Sequence, residues 1–121
     1  MVRVTLDLTG KDATFLSNCY RYHSGLSVLP LYRTPPDGLG TDKVKEKIDT
    51  MQHAYEGGTT GNRVEIAIRK KARKEVIEMF RKIISYCQSI ATEDDIPALI
   101  QAGFQVLHFG GRKRPAAEPA V

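Results

Sequence analysis

From Asn62 to about Ala91 the chain reads as one helix of some thirty residues. At a rise of 1.5 Å per residue this helix would be roughly 45 Å long. A sphere holding all 121 residues would be only about 35 Å wide. The fold is therefore expected to be elongated and organised along this one element. Its apolar pattern changes partway. Val76, Phe80, Ile83, Cys87 and Ile90 form a stripe that Ile77, Met79, Ile84, Tyr86 and Ala91 widen to about half the circumference, so several elements must cover it. Nearer its start only Val64, Ile68 and Ala72 keep the seam, among Arg69, Lys70, Lys71, Arg73 and Lys74. One neighbouring helix suffices there.

That neighbour precedes it. Thr41 caps a helix to about Glu56 in which Val44, Ile48, Met51 and Tyr55 step by four, three and four, a narrow seam for one partner. Gly57-Gly58-Thr59-Thr60-Gly61 breaks the run, and Asn62-Arg63-Val64-Glu65 has the spacing of a capping box. A turn this short folds the two helices into an antiparallel hairpin.

The ends of the chain read differently. Val2, Val4, Leu6 and Leu8 alternate with polar residues, the period of a half-buried strand. Gly10 ends it, and Asp12 caps a short helix to about Tyr22, with Phe15, Leu16, Cys19 and Tyr20 inward. Residues 24–40 hold three prolines and three glycines, which argues against regular structure. Their Leu26, Val28, Leu29, Leu31 and Tyr32 predict a loop laid across the core. Glu93, Asp94 and Asp95 would oppose the dipole at a helix end and suit the start of the next. A short helix through Ile96, Pro97, Leu99 and Ile100 should stop at Gly103. Phe104 and Val106 then begin a closing strand to about Phe109 that can pair with the first. The expected architecture is mainly α: one domain over 1–109, a helical hairpin with a long third helix, short N- and C-terminal strands, and a basic Pro/Ala tail over 110–121.

Charge is segregated along this layout. The net charge is +4. Residues 62–92 carry eight bases against three acids, residues 93–109 only three acids, and the tail adds Arg112, Lys113 and Arg114 against Glu118. A basic element followed by an acidic turn suits an anionic partner or head-to-tail self-association. A solvated helix face explains the same charges. Arg69, Lys70, Lys71, Arg73 and Lys74, with Arg112, Lys113 and Arg114, are the candidate partner surface. Such a surface would hold phosphates without reading bases. Glu75 and Glu78 on the same helix, and the lack of a recognition motif, weigh against nucleic acid.

Chemistry is hard to find. His23, His53 and His108 fall in separate elements, and no zinc-protease, Cys-x-x-Cys, dinucleotide or nucleophile-elbow motif is present. Thr9-Gly10-Lys11 lacks the upstream glycine and the following hydroxyl of a phosphate loop. Cys19 and Cys87 both lie on apolar stripes, as buried inert thiols do. Glu65, Arg69 and Arg73 form an i, i+4 ladder suited to pairing on the helix itself. No acid, base and nucleophile converge, so a non-enzymatic protein without cofactor or metal is expected. With 41% apolar residues, no stretch approaches the ~18 of a membrane span. No export signal is recognised, which leaves a cytoplasmic protein or part of a particle.

Three stretches carry a resemblance: Arg69-Lys70-Lys71-Ala72-Arg73-Lys74-Glu75-Val76-Ile77, Tyr86-Cys87-Gln88-Ser89-Ile90-Ala91 and Ala102-Gly103-Phe104-Gln105-Val106. Over about residues 41–107 the chain resembles a group of uncharacterised bacterial helical proteins. Those have an Arg-x-x-x-Arg helix, a Tyr-Val-Gln end and a Ser-Gly-Phe-x-Val close, and some carry fibronectin type III modules after it. Here Cys87 replaces the valine and Ala102 the serine. The resemblance implies a non-enzymatic helical module, structural or adhesive, and brings no catalytic residues. The expected function is a structural or interaction protein that self-associates within a larger assembly, with polyanion binding as the alternative.

Overall fold

A computed structural model describes residues 2–57 and 63–108. Strand β1 (Val2–Thr5) leads into helix α1 (Asp12–Val28), a 3-10 turn at Pro30–Tyr32, and helix α2 (Thr41–Gly57). Helix α3 (Arg63–Ile90) follows, then a 3-10 turn at Glu93–Asp95, helix α4 (Ile96–Gln101) and strand β2 (Gln105–His108). The expected helix-dominated architecture is present. The terminal strands pair antiparallel, with Val2 opposite His108 and Val4 opposite Val106. The tail over 110–121 and the Asn62 capping box lie outside the described residues.

At 28 residues, α3 is about 42 Å long, and α2 and β1 pack directly against it. α2 runs back along its first half, α1 covers one side of that pair, and β1 lies against its second half. Of the expected α2 seam, Val44, Ile48 and Met51 are fully buried and Tyr55 partly. However, α2 packs against α1 as well as α3, rather than against one partner helix. On α3 Val76, Phe80, Ile83 and Cys87 are sealed from water, but Ile90, the last residue of the expected stripe, is 40% exposed. Tyr22 of α1 sets its ring edge-on to Phe80, centroids 5.9 Å apart, and donates its hydroxyl to the Asp7 carbonyl at 2.9 Å. A buried aromatic thus keeps its polar tip satisfied.

Two expectations about α1 need correction. The helix runs to Val28 rather than Tyr22, and Asp12 is its first residue rather than its cap, which is Lys11. Gly25 does not break the helix because its missing side chain is a packing requirement. A Cβ there would lie 2.2 Å from the Ala102 carbonyl oxygen and 2.6 Å from its Cα. Pro30 supplies the actual stop, since a residue before proline is driven from the helical region, and Leu29 is extended at φ −83°, ψ 115°.

The loop that follows does cross the core. Leu29 and Tyr32 are buried, whereas Val28 stands 79% exposed. The Tyr32 hydroxyl donates to the Leu39 carbonyl, its ring meets Tyr86 edge-on at 5.8 Å, and the Tyr86 hydroxyl donates to the Thr34 carbonyl at 2.8 Å. The acidic turn starts the last helix as expected. Thr92 and Asp95 form a reciprocal capping box there, with the Thr92 N–H donating to Asp95 Oδ2 at 2.9 Å. Gly103, at φ +104°, closes α4: its N–H donates to Ile100 and that of Phe104 to Leu99. This αL termination turns the chain and drops Phe104 into the core, 3% exposed.

Candidate interaction surface

The five bases singled out on α3 divide into two groups. Arg69 Nε sits 3.2 Å from Asp12 Oδ2, and Arg73 Nη1 2.8 Å from Asp12 Oδ1. Arg73 Nη2 also donates to the Gly10 carbonyl at 2.8 Å, and its guanidinium lies 4.3 Å from the centre of the Phe15 ring. Both arginines are mostly withdrawn from solvent, with side chains 22% and 23% exposed. They fasten α3 to the start of α1, and so they leave the candidate partner surface. The i, i+4 spacing that predicted pairing along the helix also places two guanidiniums one turn apart, able to grip one carboxylate from another element.

Lys70, Lys71 and Lys74 remain exposed, and no ion pair involves them among the described residues. Arg112, Lys113 and Arg114 lie outside the described residues. Glu75 turns instead to α2, where Lys47 Nζ meets its Oε1 at 3.2 Å.

Beside these lysines the expected seam fails. Val64 is 67% exposed and Ile68 54%, while Ala72 is buried. The cause is helical pitch: an i, i+4 row slips by about 40° at each step. Counting back from Ala72, Ile68 and then Val64 rotate out from under α2. Glu65, seven residues before Ala72, returns to nearly the same bearing. The basic end of α3 thus carries a small apolar strip bordered by lysines. At the other end of the same helix, Glu93 and Asp94 are exposed.

Elsewhere the polar groups look after one another. The Tyr20 hydroxyl donates to Asp49 Oδ1 at 2.6 Å, and Lys45 Nζ reaches Asp49 Oδ2 at 3.1 Å. The Tyr20 bond, then Lys45, hold the Asp49 carboxyl below its usual range. Burial, reinforced by Asp49, pushes the Tyr20 phenol up to about 12. Burial also raises the Cys19 and Cys87 thiols to about 12, where thiolate is scarce at neutral pH. Among the described residues no group of three or more His, Cys, Asp or Glu could hold a metal ion. None of their helices is long and apolar enough to cross a membrane.

Two surface grooves stand out. One, of about 260 Å³ between α2 and α3, mixes Lys43, Lys47 and Lys82 with Glu46, Glu75 and Glu78. The other, of about 500 Å³, runs between β1 and the second half of α3 and is lined by Arg3, Thr5, Arg81, Ser85 and Gln88 with Val4 and Ile84. No local pattern signals it, because Arg3 and Arg81 come to one groove only through the fold. Compared with protein families, curated proteins and solved structures, the chain matches none.

Proposed function

We propose that this chain is a non-enzymatic structural or interaction protein that associates with itself, head to tail, as part of a larger assembly. The observation that carries this reading is the separation of charge along α3. Lys70, Lys71 and Lys74 are exposed at one end, and Glu93 and Asp94 at the other. Roughly 28 Å of rigid helix lies between Lys71 and Ile90, so the two patches cannot neutralise each other within one chain. Between copies they can. Val64 and Ile68 beside the lysines would add apolar contact to the same junction. The resemblance to helical modules of structural or adhesive type points the same way.

Light scattering at micromolar concentration provides the test. Species larger than a monomer are expected at low salt and should shrink as salt screens the junction. K70E/K71E/K74E should be monomeric at the same helix content, and mixing it with E93K/D94K should restore the larger species. A parent that stays monomeric at low and high salt would overturn the reading.

The three exposed lysines also favour a second reading, sequence-independent binding to nucleic acid or another polyanion. It is weakened by the loss of Arg69 and Arg73 to Asp12. It requires the parent to bind duplex DNA at about 50 mM salt and to weaken steeply as salt rises. The triple lysine variant must then lose most of that affinity. Unchanged affinity in the variant, or no binding by the parent, rejects it.

A further inference from the structure

The edge of β1 that faces away from β2 borders the groove of about 500 Å³ and is met at Val4 by a single side chain of α3. The Val4 N–H points to that side, because it donates to Gln88 Oε1 of α3. At 3.3 Å this bond lies at the long limit of a useful N–H···O contact. Antiparallel alternation then leaves Arg3 and Thr5 to exchange bonds with Leu107 and Gln105, and sends the backbone groups of Val2 and Val4 outward together.

The opposite wall of the groove is one face of α3, from Arg81 through Ile84 and Ser85 to Gln88. Those positions span about 10 Å of helix, the length of roughly three extended residues. The lining holds two guanidiniums, Arg3 and Arg81, and no carboxylate. Arg81 is exposed and has no ion-pair partner among the described residues.

We propose that this edge receives an extended peptide with acidic side chains, which adds to β1 as a third strand. Its backbone replaces the long Gln88 contact at Val4, and its alternate side chains meet Ile84 on one side and Arg81 on the other. Charge selects against a second copy of β1 in the same place, since that pairing would gather both copies' arginines on one ribbon. The edge is separate from the lysine end of α3, so this inference stands or falls independently of head-to-tail association.

The probe is a labelled ten-residue peptide of alternating valine and glutamate, titrated into the full chain at low salt and followed by fluorescence anisotropy. Saturable binding is expected, weakened about tenfold when lysine replaces glutamate in the peptide or in R81E. Two further peptides carry N-methyl groups on odd or on even amides. Strand addition uses only alternate amides, so one series should lose binding and the other keep it. Equal affinity of both methylated series would show charge attraction alone and overturn the proposal. So would no saturation at millimolar peptide, or an R81E protein that binds like the parent. The methylation arm needs only the parent protein and decides the question even if R81E folds poorly.

Discussion

Gly25→Ala should unfold well below the parent temperature, although alanine is the better helix former. In an exposed helix interior the exchange would stabilise by about 0.5–1 kcal/mol. At this position the new methyl would sit 2.2 Å from the Ala102 carbonyl oxygen, 2.6 Å from its Cα and 2.7 Å from its carbonyl carbon. All three are backbone atoms of the turn that ends α4, so no side chain can swing aside. Either α1 or the α4–β2 corner has to move, and overpacking of this kind costs about 3 kcal/mol. The melting temperature should fall by roughly 10 °C. Ser24→Ala, one residue earlier on the exposed side of the helix, should leave it nearly unchanged. A Gly25→Ala protein as stable as the parent would mean that α1 and the Ala102 turn do not touch.

Phe80→Ala should be at least as damaging for the opposite reason. Phe80 is fully buried on the broad stripe of α3 and takes the edge of Tyr22. Removing the ring leaves a cavity between rigid helices, at an expected loss of about 3–5 kcal/mol. That is a large share of the ~5–15 kcal/mol that holds a small domain together. Tyr22→Phe keeps the ring and loses the bond to the Asp7 carbonyl, for about 1 kcal/mol. Urea unfolding of both variants measures the contrast. A loss below that of Tyr22→Phe would place Phe80 outside the core.

What the sequence made legible, and what it hid, divides by distance along the chain. The helices α2 and α3, the strand periods and the acidic start of the last turn are local patterns, written within one element. The misread positions each depend on a residue far away. Gly25 makes sense only beside Ala102, and Arg69 and Arg73 only beside Asp12, in each case more than fifty residues distant. A glycine in a helix and an i, i+4 arginine pair look the same whether they serve a breaker, a surface or a clamp. The outward turn of Val64 and Ile68 is a third kind of miss. The period was read correctly, but the row drifts on a straight helix, and only the position of α2 shows where it leaves the seam. The groove along β1 was invisible for the same reason as the Asp12 clamp. Its walls, Arg3 to Thr5 and Arg81 to Gln88, are far apart in the chain, and no local pattern brings them together.

The pairing of β1 with β2 has a consequence for how the protein is made. Val4 and Val106 are neighbours in space and 102 residues apart in the chain. At about 5–20 residues per second, the ribosome needs roughly 5–20 s to deliver the partner of a strand it released first. Helices α1, α2 and α3 can nucleate and dock within a small fraction of that time. Through the interval β1 waits with an unsatisfied edge, the situation most prone to mispairing between nascent chains. Gln88 contacts only the outer edge of β1, at the Val4 amide, and leaves the edge that β2 covers open through the interval. That contact guards the outer edge alone, and closing the inner one falls to β2.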